Sequence, residues 1–192
     1  MTDKLKNFIR DAVPIPLPVT EEIVAYFQPI HIAKGDYLLK AGRLSDSYMF
    51  LESGFLRAYT FDQEGNEVTT GFYSSNAVVF EVYSFFNRTL SKENIQALSD
   101  SDGWVISYDV LNQLFHSLPA FRDFGRAMLV KGFSSLKQRM LSMINETAEE
   151  RYAALLEKSP SIFQFAPLKD IASYLGITDS SLSRIRKQFA SK

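Results

Sequence analysis

The segment Leu168–Lys187, "LKDIASYLGITDSSLSRIRK", decides how the rest of the chain is read. Its first eight residues place Ile171, Ala172 and Leu175 at helical spacing, and Gly176 then breaks the run. Thr178 offers a hydroxyl to cap a second helix, with Asp179 in the first turn, where the helix dipole favours an acid. At roughly 100 degrees per residue, Leu182, Ile185 and Phe189 fall on one face and can close on the first helix. Ser180, Ser183, Arg184 and Lys187 fall on the other. A helix, a tight turn and a second helix with one long cation among small polar residues has the form of a recognition helix. A guanidinium can bridge two acceptors on a guanine edge, and serines do not obstruct entry into the major groove. Lys169, Arg186 and Lys187 supply charge for backbone phosphates, which adds affinity without sequence information. A two-helix packing motif with an ordinary solvated face has the same spacing, so the pattern alone leaves both readings open.

Upstream, residues 109–158 are helical by composition and period. Leu129, Phe133, Leu136, Met140 and Met143 recur at steps of four and three, the seam of a two-helix coil, which requires a partner. Phe121, Phe124 and Met128 lie at helical spacing before them. One face of the helix is therefore expected to meet the rest of the chain and another face a second subunit. Gly132 weakens the helix slightly but allows close approach.

From residue 30 to about 107 the pattern changes to short β-branched and aromatic runs: "IHIA", "YLLKAG", "SYMFLE", "GFLRAYTF", "EVTTGFY", "NIQAL" and "GWVISY". Turn residues separate them, among them Gly35-Asp36, Ser53-Gly54 and Glu64-Gly65-Asn66. Many short strands at close spacing predict a sandwich or jelly roll. Before them, residues 2–12 predict an amphipathic helix stopped by prolines 14, 16 and 18, and "VTEEIVAYF" a second helix capped by Thr20.

Composition bounds what this architecture can do. Of 192 residues, 46% are hydrophobic and 22% charged, with a formal net charge of -1, which fits a globular chain and not a uniformly basic coat for nucleic acid. The charge is unevenly spread: residues 1–117 carry nine basic and fifteen acidic residues, residues 118–192 twelve and seven. An acidic front and a basic back predict different partners for the two parts. There is no cysteine, which excludes thiolate zinc sites, iron-sulfur clusters and cysteine nucleophiles within this sequence. The opening "MTDKLKNFIRDAVPIPLP" resembles neither a signal peptide nor a membrane span, so a soluble cytoplasmic protein with no membrane partner is expected. A β-roll enzyme would gather several histidines and a carboxylate on a metal. The chain has only His31 and His116, far apart in sequence, so neither a metal site nor an enzyme is expected.

The tail "IASYLGITDSSLSRIRK", with "GDYLLKAGRLSDSYMFLESGFLRAY" and "ERYAALLEKSP", resembles the Crp-Fnr family of bacterial transcription regulators, in particular versions seen in Bacteroidetes, over about residues 20–190. The resemblance implies an α+β protein: a jelly-roll (double-stranded β-helix) domain like those that bind cyclic nucleotides, a long dimerisation helix and a C-terminal helix-turn-helix. It places these at residues 1–117, 118–145 and 146–192. It implies a homodimer acting on double-stranded DNA, with RNA polymerase as a further partner. Arg184 matches a base-contacting arginine of the family, whereas Ser180 stands where many members carry a glutamate that reads cytosine. Thr178, Ser183, Lys187 and Lys169 complete the expected DNA face. The family's β wing has no counterpart after Lys187 and must be absent, reduced or supplied by earlier strands.

Cyclic-nucleotide binders of this fold carry a Gly-Glu pair for the ribose and an arginine followed by a small residue for the phosphate. In "VVFEVYSFFNRTLSKENIQAL", Glu81 matches the acid, Phe80 replaces the glycine, and Ser91-Lys92 stand where the arginine and its neighbour belong. Arg88 reaches that position only if the register slips by three residues. Without that arginine a buried phosphate lacks a strong partner, so cyclic AMP is not expected to bind and any other effector is unidentified. The competing expectation is a small-molecule-binding β roll whose helical tail docks on a protein instead of DNA.

Overall fold

The structure is a computed structural model that describes residues 2–190. Two helices open it, α1 (Asp3–Ala12) and α2 (Leu17–Val24). The second begins earlier than the Thr20 cap predicts: Pro16 is its N-cap, and Thr20 lies inside the helix, fully buried, donating its hydroxyl hydrogen to the Pro16 carbonyl. Prolines 16 and 18 therefore start a helix as well as ending one, because an amide hydrogen is dispensable in the first turn.

Eight strands follow, β1 (Gln28–Ile32), β2 (Tyr37–Leu39), β3 (Ser47–Ser53), β4 (Phe55–Phe61), β5 (Glu67–Ser74), β6 (Ala77–Val79), β7 (Asn94–Ala97) and β8 (Ser101–Ser107), with α3 (Val82–Asn87) between β6 and β7. They form two antiparallel four-stranded sheets in the orders β1-β8-β3-β6 and β2-β7-β4-β5. This is the jelly roll that the strand spacing predicts, with one addition: the short β6 escaped the pattern.

Alternation along the strands distributes the core. In β3, Met49 and Leu51 point between the sheets, beside Ile32, Leu56, Val79 and Ile95. Tyr48 and Phe50 point outward into a second core with Leu5, Ile9, Ile23, Phe121 and Phe124. The turn from β3 to β4 has room for glycine alone, since Gly54 has φ +105° and a Cβ there would sit 2.2 Å from the Ser101 hydroxyl oxygen.

The helical half comprises α4 (Tyr108–Ser117), α5 (Pro119–Asn145), α6 (Ala148–Lys158), α7 (Ile162–Phe165), α8 (Leu168–Leu175) and α9 (Asp179–Ala190). Pro119 separates α4 from α5. A capping box separates α5 from α6: the Thr147 hydroxyl accepts from the Glu150 amide, and the Glu150 carboxylate accepts from the Thr147 amide. Phe121 and Phe124 at the start of α5 are buried against the roll, with Met128 packed on the same core. Beyond them much of the helix's apolar surface is bare, with Phe133 72%, Leu136 65% and Ile144 70% exposed. Among the described residues nothing lies within 4 Å of a Cβ built at Gly132; the tight glycine of α5 is Gly125, against the Phe115 ring.

Candidate nucleic-acid interface and effector pocket

The α8–α9 turn closes as its residues require. Gly176 ends α8 in the left-handed region at φ +67°, the Ile177 amide donates to the Ala172 carbonyl, and the Gly176 amide donates to that of Ser173. Thr178 Oγ1 then accepts from the Ser181 amide at 3.3 Å and shares a hydrogen bond with the Ser180 hydroxyl at 3.0 Å. Leu182 and Ile185 are buried with Ile171, Ala172 and Leu175, and Phe189 packs on the same cluster. Ser180, Ser183, Arg184 and Lys187 all lie exposed on the opposite face of α9, and Lys169 is exposed near the start of α8. The six residues singled out for DNA thus sit on one helix-turn-helix, four of them on one open helical face. Among the described residues no strand follows Ser107, so no wing flanks α9 from its own half of the chain.

The strand nearest this unit is β5. Thr69 in β5 donates its amide hydrogen to the Ser173 hydroxyl at 2.9 Å, and that hydroxyl donates to the Glu67 carbonyl at 3.3 Å. Arg57 in β4 stands behind them with its side chain 4% exposed. Its Nε donates to Thr69 Oγ1 at 2.9 Å, one terminal nitrogen donates to the Glu67 carboxylate at 2.7 Å, and the other lies 3.3 Å from the Asp170 carboxylate of α8. That last nitrogen has no well-directed hydrogen bond. Burial pushes the Asp170 carboxyl above the ordinary aspartate range; the positive charge of Arg57 only partly opposes this. Arg139 of α5 adds a third strut, donating to the carbonyls of Thr69, Thr70 and Tyr174 with its guanidinium 4.1 Å from the Tyr174 ring centre. Phe55 stacks on Phe165 at 5.2 Å.

None of these contacts was anticipated. The signal was present in "FLRAY": Leu56 and Ala58 face the roll interior, yet Phe55, Arg57 and Tyr59 on the other face are buried as well. A strand buried on both faces must be covered by something.

The effector-pocket residues are engaged otherwise. Glu81 caps α3, accepting from the amides of Tyr83 and Ser84. Arg88 adopts a left-handed conformation at φ 54° and turns to Asp46 at 2.6 Å, with its guanidinium 4.0 Å from the Tyr108 ring centre. The buried Ser91 hydroxyl exchanges hydrogen bonds with Glu93, its own neighbour, while Lys92 is exposed. Burial raises the Glu93 carboxyl above its usual value and the Tyr73 phenol to about 12. The cavity beside this segment, lined by Leu39, Leu44, Ser45, Phe80 and Ile95, measures about 80 Å³. Ligand sites for drug-sized molecules run to roughly 300–1,000 Å³.

A β roll joined through a long, half-bare helix to a helix-turn-helix defines a class of two-part proteins, a sensor-like roll carrying a nucleic-acid reader. Comparison with known proteins agrees. The cyclic nucleotide-binding domain family matches residues 29–117. The fumarate and nitrate reduction regulatory protein of Yersinia pestis is 29% identical over 170 residues, 82% of this chain and 67% of that protein. FixK2 from Bradyrhizobium japonicum is 18% identical with a TM-score of 0.71, covering 86% of this chain and 85% of that one. A transcriptional regulator of the crp/fnr family from Eubacterium rectale is 17% identical with a TM-score of 0.72, covering 94% and 88%. The chain is thus similar to Crp-Fnr transcription regulators in sequence and in fold.

Proposed function

We propose that the chain is a sequence-specific DNA-binding regulator that acts as a homodimer in the cytoplasm and does not use cyclic AMP. Residues 1–117 serve as a sensor-like roll, 118–145 as the dimerisation helix and 146–192 as the DNA-binding part; Met1, Ser191 and Lys192 lie outside the described residues. The observation that carries the reading is the open face of α9, where Arg184 projects among small polar residues on a capped helix-turn-helix. The exposed seam of α5 supports the dimer: paired seams would hide Phe133 and Leu136 and set two recognition helices on half-sites about 34 Å apart. No step of catalysis is assigned to any residue. Among the described residues no helix is long and apolar enough to cross a membrane.

Glu81, Arg88, Ser91 and Lys92 are the remains of a degenerate effector pattern, and none of the four lines the small cavity beside them. A cyclic phosphate needs a guanidinium fork free to meet it. Arg88 is already paired with Asp46, and Lys92 lies at the surface.

The test is a selection of bound fragments from random duplex DNA, followed by Arg184→Ala on the selected operator. The variant is expected to lose about 1–3 kcal/mol and to relax preference at one base pair per half-site. Lys187→Ala weakens all sequences alike and flattens the salt dependence. Failure of the wild-type chain to enrich any duplex refutes the reading.

A further inference from the structure

From the contacts between β4, β5 and α8 we infer that Arg57 is a positioning residue for DNA recognition: with Ser173 and Arg139 it braces the helix-turn-helix against the roll of its own chain, in an orientation ready for DNA without an effector. The inference rests on the DNA-binding reading and adds how that site is held.

Three observations converge. First, the brace joins every major part of the molecule. Arg57 belongs to β4, Glu67 and Thr69 to β5, Asp170 and Ser173 to α8, and Arg139 to α5. Six hydrogen bonds through side chains tie β5 to its neighbours here: Arg57 Nε to Thr69, Arg57 to Glu67, the Thr69 amide to Ser173, Ser173 to the Glu67 carbonyl, and Arg139 to the carbonyls of Thr69 and Thr70. An apolar contact, Phe55 on Phe165, closes the rim, so the surface has the makeup of a packed interface and not of a grazing one.

Second, docking leaves the reading face free. Ser180, Ser183, Arg184 and Lys187 are exposed while Ile171, Leu175, Leu182 and Ile185 are buried. The contact therefore orients the recognition helix without masking it, which argues for a support and against an autoinhibitory cover. Two half-sites at fixed spacing are read together only if both helices keep their angle to the dimer stalk, and Arg139 reaches from that stalk to the Tyr174 carbonyl in α8.

Third, the cavity beside the segment where the family's ligand pattern falls is small, about 80 Å³, while the contacts that orient α8 are made by the chain's own side chains. The brace is also breakable: one terminal nitrogen of Arg57 is buried with no well-directed hydrogen bond, and burial raises the carboxyl of its partner, Asp170. A fully satisfied network would be harder to part.

The experiment compares the full chain with Arg57→Leu and, because a core substitution in β4 can unfold the roll, with the milder Ser173→Ala. Hydrogen exchange at residues 168–175 is read without DNA, and affinity is measured for the selected operator and for unrelated duplex. Both variants are expected to exchange faster in α8, remain dimeric, keep their affinity for unrelated duplex and lose operator affinity. If the docked fraction falls to one in ten, the loss is about tenfold, and it is smaller for Ser173→Ala. Faster exchange with unchanged or tighter operator binding overturns the inference and leaves the DNA-binding reading standing. Unchanged exchange in both variants overturns the brace itself. A wild-type chain that ignores all duplexes removes the functional reading, and the inference with it.

Discussion

Gly176 shows how one residue can hold the DNA-reading unit together. It ends α8 at φ +67°, and a Cβ built there meets the Met143 methyl at 2.4 Å, so the same position turns the chain and receives a side chain from the end of α5. Gly176→Ala is expected to lower stability by about 1 kcal/mol from the left-handed backbone alone, more if Met143 cannot move, as read from the denaturant midpoint. An unchanged midpoint would mean that the turn relaxes freely. Asp170 predicts a pH effect. Its folded carboxyl titrates above the ordinary aspartate range because burial outweighs Arg57 and Lys169, with Glu67 and Asp179 adding to the rise. The folded state therefore holds the proton more tightly than the unfolded chain, so this contribution is complete below the unfolded value, about 3.9, and is lost as pH rises through the folded one. Asp170→Asn should remove that downward slope, so the stability difference between wild type and variant changes across the window and is flat above it. A constant difference from pH 3 to 8 would refute the assignment.

At the scale of elements, α5 divides its work along its length. The first two turns bury Phe121 and Phe124 in the roll, and the later turns leave Leu129, Val130, Phe133, Leu136 and Ile144 exposed. A contiguous apolar face of this kind on a chain otherwise rich in charged residues marks an interface. Phe133→Asp combined with Leu136→Asp should convert the proposed dimer to a monomer in sedimentation while leaving the near-ultraviolet spectrum of the roll intact. A variant that stays dimeric places the interface elsewhere. The packing of the start of α5 was legible beforehand in the helical spacing of Phe121, Phe124 and Met128; the seam that follows was expected to meet a second subunit, which stays a proposal. Most strands, whose alternation is local, and the capped turn in α8–α9 were legible as well. What escaped was non-local or carried by too few residues. β6 spans three residues, too few for a period to register. Pro16 as a cap looked like a stop because proline serves at both ends of a helix. The brace was hidden for a deeper reason: Arg57, Glu67, Arg139 and Asp170 are each unremarkable surface types, and only folding brings them together from four elements.

On the scale of the whole molecule, the acidic front and basic back correspond to a roll with a small cavity beside Phe80 and a unit that presents cations outward. If the roll no longer takes the family's ligand, heat must show it, since a ligand that binds only the folded chain stabilises that chain whether or not it changes activity. At a hundredfold excess over the dissociation constant the gain is about 2.7 kcal/mol, which for a chain of this size raises Tm by roughly 5–10 °C. Cyclic AMP is therefore expected to leave Tm unmoved, because Arg88 is committed to Asp46 and Tyr108 and the neighbouring cavity is about 80 Å³. The selected operator duplex, added in similar excess, should raise Tm in the same apparatus and so shows that binding is detectable. A rise with cyclic AMP would mean that Arg88 releases its partners and the pocket opens, and the roll would then be an effector site after all.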